Sequence, residues 1–185
     1  MLAWAAGRWL GISPLEQLQP APTSFGVGIL AAVPLLLGLR WILTTGSRSV
    51  RRLVALVVKQ LGPLLAPRSP VELALLAALA GFAEEILFRG VVQVALSRVL
   101  PETGALIAAS AAFGLAHFIT PTYALLAGLA GLYLGGLFLL QGSLTAPIVA
   151  HALYDVVALS CVVRLYRHQT SHQSGEPDED GVLQG

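Results

Sequence analysis

The chain has 185 residues, of which 56% are hydrophobic and 11% charged, and its mean hydropathy is +0.76. Soluble domains carry about 25% charged residues, so this chain has too little charge to cover a water-facing surface, and lipid is the solvent its composition suits. The net charge of +1 gives no electrostatic reason to expect a nucleic-acid partner, and a single cysteine, Cys161, excludes an internal disulfide.

Residues 1–10 are mildly apolar, with Arg8 inside the run rather than ahead of it and no small-residue cleavage site after it. They do not read as a cleavable signal peptide. Residues 11–23, polar and proline-containing, are expected at the membrane interface. The first strong apolar run, residues 25–43, is close to the roughly 20 residues a span needs. Arg40 and Trp41 near its end are expected as interfacial anchors. Residues 47–70 then hold Arg48, Arg51, Arg52, Lys59 and Arg68 but no acid, with Leu53, Leu56, Val57, Leu61, Leu64 and Leu65 at helical spacing between them. That pattern predicts an amphipathic helix lying on a membrane surface, and the positive-inside rule places it on the cytoplasmic side.

Ser69-Pro70 with Glu72 is helix-starting chemistry, and the helix is expected to run to about Leu100, where Pro101 stops it. Residues 103–118 form the third candidate span and 123–140 the fourth, which is rich in small residues (Gly128, Gly131, Gly135, Gly136) that allow close helix contact in lipid. Residues 144–166 form the fifth, followed by Arg164 and Arg167 on its end, and alternation from the basic segment places the C-terminus in the cytoplasm. The tail from Gln169, with Glu176, Asp178, Glu179 and Asp180, has no apolar face and is expected to be disordered. The expected fold is thus all-α: a polytopic membrane helix bundle of about five transmembrane helices plus an amphipathic surface helix, multi-pass in the cell (inner) membrane. It divides into an N-terminal part (1–69), a helical core (70–167) and a polar tail (168–185).

Against this background the segment Gly81-Phe82-Ala83-Glu84-Glu85-Ile86-Leu87-Phe88-Arg89-Gly90 stands out. At about 1.5 Å per residue Glu84 lies roughly 21 Å into a hydrocarbon core about 30 Å thick. A charge near the bilayer centre costs about 2.5–3.5 kcal/mol on insertion scales. Glu85 and Arg89, spaced i, i+4, can neutralise each other as a structural pair. Glu84 points about 100° away from Glu85 and must face another part of the bundle. Two other helices supply partners: His117, in Phe113-Gly114-Leu115-Ala116-His117, and His151 with Asp155, which share a helix face in His151-Ala152-Leu153-Tyr154-Asp155. Each has a bland reading alone, since a lone membrane histidine is often a satisfied core residue. Two histidines and three acids across three helices point to water activation, with a glutamate as general base and a histidine orienting the water. The His117, His151 and Asp155 set also suits a divalent metal such as zinc, although the helical His-Glu-x-x-His spacing is absent. No Gly-x-Ser-x-Gly is present, and Ser110 and Ser143 read as packing or turn residues.

At these residues the sequence resembles the CPBP family of intramembrane proteases, also called the Abi or CAAX-protease-and-bacteriocin-processing family, which includes the type II CAAX prenyl endopeptidases. The family pattern of Glu-Glu-x-x-x-Arg, then Phe-x-x-x-His, then His-x-x-x-Asn/Asp is matched in order by Glu84-Glu85 with Arg89, Phe113 with His117, and His151 with Asp155. Asp155 stands where the eukaryotic prenyl proteases have Asn, and it adds an acid that favours metal ligation. The resemblance implies an intramembrane endopeptidase acting on a peptide or membrane-anchored protein in the bilayer. It implies that Glu84 activates water with help from His117, and that His151 and Asp155 polarise the scissile carbonyl or bind metal. Arg89 would hold Glu85, and Phe113 would pack beside the site. Two other functions use the same residue types: a proton-coupled transporter, whose relay would string these groups across the bilayer, and a non-catalytic membrane scaffold. A peptidase instead requires Glu84, His117 and His151 to converge within reach of one water.

Overall fold

The computed structural model describes residues 2–173, and every regular element among them is helical. In chain order, α1 (Leu2–Leu10) leads through a 3-10 turn (Pro14–Gln17) to α2 (Pro22–Thr44) and α3 (Arg48–Leu65). Then come α4 (Pro70–Glu85), a π-helical segment (Ile86–Gln93), α5 (Val94–Ser97), α6 (Glu102–Ala116), α7 (Pro121–Gln141) and α8 (Thr145–Gln173).

The distribution of side chains is that of a protein dissolved in lipid. Leu30, Leu79, Leu115 and Leu140 are 71%, 65%, 68% and 83% exposed, whereas Glu85, Arg89 and Gln93 are 0%, 2% and 2% exposed. Apolar surface outward and paired polar groups inward is the arrangement the bilayer imposes. By length and composition α2, α7 and α8 can each cross a membrane. The other two expected spans are also helical, with bounds close to those expected. Residues 70–97 run through α4, the π-helical segment and α5 without a break in helical backbone. The 15 residues of α6 reach only roughly 22 Å, less than the thickness of a hydrocarbon core of about 30 Å. His117, expected within a span, is the C-terminal cap residue of α6.

Local chemistry sets the helix ends. The Ser69 hydroxyl accepts from the Glu72 N–H at 3.2 Å and the Glu72 carboxylate accepts from the Ser69 N–H at 2.8 Å, a reciprocal cap at the start of α4. Thr120 Oγ1 accepts from the Tyr123 N–H at 3.1 Å to open α7. Gly142 closes α7 at φ +60°, a left-handed conformation that glycine adopts without Cβ strain.

Helix α8 is the central element, packing along α2, α3, α4 and α7, while α6 pairs with α7. A Cβ on Gly81 would lie 3.0 Å from the Ala152 backbone nitrogen, so the glycine sets the close approach of α4 to α8. Residues 11–20 fold onto the bundle. Ile12 and Pro14 are buried, Gln17 Nε2 donates to the Gly90 carbonyl at 3.1 Å, and the Leu144 N–H donates to the Gln17 carbonyl at 3.0 Å. The Gln19 N–H also reaches Ser143 Oγ (3.3 Å) and Thr145 Oγ1 (3.2 Å). The polar residues of this segment thus satisfy backbone and hydroxyl groups at the α7–α8 turn. At the far end α8 continues to Gln173, where the tail was expected to be structureless from residue 169. Glu176, Asp178, Glu179 and Asp180 lie outside the described residues.

Candidate active site

Four elements deliver the site. The last turn of α4 brings Glu84 and Glu85, the π-helical segment brings Arg89, the end of α6 brings Phe113 and His117, and α8 brings His151 and Asp155. The π-helical backbone begins at the residue after Glu85, and such widened turns are frequent at functional sites.

Glu85 is the hub. Its Oε1 accepts from Arg89 Nη1 at 2.7 Å and from His151 Nδ1 at 2.7 Å, all three side chains being buried. The expected Glu85–Arg89 pair is therefore present, with His151 as a third member. Arg89 also donates from Nη2 to the Gly131 carbonyl at 2.8 Å, and its guanidinium carbon lies 4.7 Å from the centre of the Phe113 ring. One helical turn on, Gln93 Nε2 donates to the Gly135 carbonyl at 3.3 Å. These two rungs join the π-helical segment to the glycine face of α7, where no Cβ blocks the carbonyls. A side chain at position 135 would bring its Cβ to 2.7 Å from Gln93 Oε1.

Glu84 faces the other way, as the 100° offset predicts. Its Oε2 lies 3.5 Å from His117 Nε2 and 3.8 Å from His151 Nε2, and Asp155 Oδ2 lies 3.6 Å from the same His151 nitrogen. The Glu84 side chain is 32% exposed as a whole, yet Oε2 itself is buried and accepts no hydrogen bond. The carboxylate thus has one oxygen turned into the bundle and an open side.

Donor and acceptor identities follow from the partners. His117 Nδ1 lies 2.9 Å from the Phe113 carbonyl, which can only accept. Nδ1 therefore carries the proton, and the neutral ring offers a lone pair at Nε2 toward Glu84. His151 likewise gives its Nδ1 proton to Glu85, leaving Nε2 facing Glu84 and Asp155. Spacings of 3.5–3.8 Å exceed a direct hydrogen bond. A small hydroxylic molecule with two O–H donors matches what these acceptors lack. Their lone pairs are also of the type that a divalent cation takes. Among the described residues, however, no three His, Cys, Asp or Glu side chains form a group that could hold a metal ion.

Aromatic rings wall the site. The Phe113 ring centre is 4.4 Å from that of His117, 6.0 Å from His151 and 5.0 Å, edge-on, from Phe88. Tyr123 stands 6.1 Å from His117. From His117, His151 and Asp155 a cavity of about 470 Å³ extends between α2, α3, α7 and α8, lined mainly by apolar side chains such as Leu39, Val57 and Leu165 and by Tyr123 and Tyr154. Gln93, Tyr123 and Tyr154 were not singled out from sequence. The available signal was a polar atom in an apolar helix: Gln93 lies four residues after Arg89, and Tyr154 lies between His151 and Asp155.

A helical bundle with apolar surface outside and carboxylates and imidazoles gathered around one buried point defines a class, the polytopic membrane protein with a hydrophilic site sunk between its helices. Residues 66–157 match the family described as Type II CAAX prenyl endopeptidase Rce1-like. That span contains Glu84, Glu85, Arg89, Phe113, His117, His151 and Asp155, and through it the chain belongs to this family and is a membrane protein of the CAAX-type intramembrane protease class. No curated protein and no solved structure matches it.

Proposed function

We propose that the chain is an endopeptidase that cleaves membrane-anchored peptides with a water molecule activated by Glu84. The observation that carries this reading is the buried Glu84 Oε2, which accepts no hydrogen bond while facing two imidazole nitrogens at 3.5 and 3.8 Å. A water held there by Glu84 and His117 loses a proton to Glu84 as its oxygen bonds to the scissile carbonyl carbon. In the reacting state His151, oriented by Glu85 and flanked by Asp155, has taken up a proton from solvent at its Nε2 lone pair and donates it as a hydrogen bond to the developing oxyanion. The carbon–nitrogen bond then breaks, and Glu84 returns its proton to the leaving amine. Arg89 is the positioning residue that holds Glu85, and through it the His151 ring.

The family's substrate class supports a lipid-bearing peptide, and the cavity running from His117 to the apolar faces of α2 and α3 has the composition to hold its hydrocarbon chain. The cationic end of the bundle, with α3 and the Arg164–Arg167 end of α8, is assigned to the cytoplasm.

The test is cleavage of a lipidated peptide by purified protein and by Glu84→Gln. General-base catalysis contributes about 10²–10⁴-fold, so the variant is expected to lose at least 100-fold in kcat with unchanged membrane yield. Normal turnover by Glu84→Gln would remove the assigned base.

A further inference from the structure

The charge at the start of α3 is not used by the proposed peptidase site. Arg48, Arg51 and Arg52 are exposed, and their spacing of i, i+3 and i+4 puts them on one side of the helix. Together with Ala55 they line a single open depression of about 420 Å³. Among the described residues none of the three makes a salt bridge to a carboxylate: the one such pair nearby is Arg68–Glu72 at 3.3 Å, at the opposite end of α3. Guanidinium groups present planar forks of N–H donors, the geometry that grips phosphate oxygens.

The opposite side of α3 belongs to the bundle. Val50, Leu53 and Val58 are buried, and Leu53, Val54, Val57, Val58 and Leu61 line the cavity that leads to His117 and His151. The C-terminal end of α3 is tied down by the Arg167 guanidinium, which donates to the Ala66 carbonyl at 2.7 Å. The N-terminal end follows only three linking residues after the membrane-crossing α2, which places its arginines at headgroup level.

We propose that Arg48, Arg51 and Arg52 form a binding site for the phosphate of an anionic membrane lipid. The bound headgroup holds the N-terminal end of α3 at the membrane surface and so fixes one wall of the cavity. Its consequence for catalysis rests on the peptidase reading above; the binding itself does not.

Each basic side chain near an anionic surface contributes about 1 kcal/mol, close to five-fold in affinity, so three give on the order of 100-fold. The experiment measures binding first. Detergent-purified protein is titrated with dioctanoyl phosphatidylglycerol, dioctanoyl phosphatidylcholine and inorganic phosphate, read by native mass spectrometry and thermal shift. Wild type and the Lys59→Gln variant are expected to bind the glycerol lipid at least ten-fold more tightly than the choline lipid, and the Arg48→Gln/Arg51→Gln/Arg52→Gln variant is expected to lose that preference. Equal binding of the two lipids, an undiminished preference in the triple variant, or inorganic phosphate binding as tightly as phosphatidylglycerol overturns the proposal. Cleavage is then compared in phosphatidylcholine vesicles with and without phosphatidylglycerol. A rise with the anionic lipid in wild type that the triple variant lacks supports the coupling, and equal rates in both vesicles overturn it. Should no form of the protein cleave peptide, the binding result still decides the site while the peptidase reading fails separately.

Discussion

Replacing Arg89 by Met removes a cation and leaves its carboxylate partner in place. Arg89 bridges Glu85 Oε1 at 2.7 Å, the Gly131 carbonyl at 2.8 Å and the Phe113 ring at 4.7 Å, and it is 2% exposed while Glu85 is 0% exposed. The methionine fills most of the volume but strands the Glu85 charge against His151 alone. Breaking a buried pair from one side costs about 3–5 kcal/mol, most of it the uncompensated charge. A loss of that size is a large share of total stability, so membrane yield is expected to fall as well as activity. The assay is equilibrium unfolding in mixed detergent micelles, run on Arg89→Met, Glu85→Leu and the double variant. If the cost is the orphaned charge, the double variant is less destabilised than the sum of the singles. It should nevertheless remain inactive, because His151 has lost the carboxylate that orients it. Wild-type stability of Arg89→Met, or full additivity in the double variant, would refute the reasoning.

Removing the His117 ring with His117→Ala is expected to lower kcat by about 10²-fold or more with little change in yield, since the residue caps a helix beside an open cavity; single-turnover cleavage of a lipidated peptide checks this. Gly81→Val should cost about 1–3 kcal/mol by driving α4 away from Ala152, whereas Gly136→Ala, where an added Cβ meets nothing within 4 Å, should be neutral or stabilising in the same unfolding assay. In the proposed mechanism Glu84 and His117 alone hold the water, with Oε2 and Nε2 3.5 Å apart, so treatment with a chelator is expected to leave cleavage within two-fold. Loss of activity that zinc restores would assign His117, His151 and Asp155 to a metal instead.

The lipid-facing character of the fold was legible because composition reports the solvent directly, and the helix start at Ser69 because capping needs only neighbouring residues. The convergence of Glu84 with His117 and His151 was legible as a chemical expectation but not as geometry. Counting depth along straight spans scatters these groups by about 10 Å. Packing of α4, α6 and α8 against one another, which counting along a single helix does not contain, leaves Glu84 Oε2 3.5 Å from His117 Nε2 and 3.8 Å from His151 Nε2. The Glu85–His151 bond was missed for a related reason. The i, i+4 rule pairs Glu85 with Arg89 inside one helix, but it cannot see a partner 66 residues away. The docking of residues 11–20 was not legible because nothing in their own sequence announces their partners Gly90, Leu144 and Ser143.

His151 reaches Glu85 from α8, the final helix to leave the ribosome among the described residues. A nascent chain synthesised only through α7 already holds both glutamates, Arg89 and His117, but lacks the imidazole that Glu85 orients. On the proposed peptidase reading, the order of synthesis acts as a safety catch: the site is completed only when the last span enters and docks along α4, so a half-inserted protein has no finished blade to turn on its neighbours in the membrane.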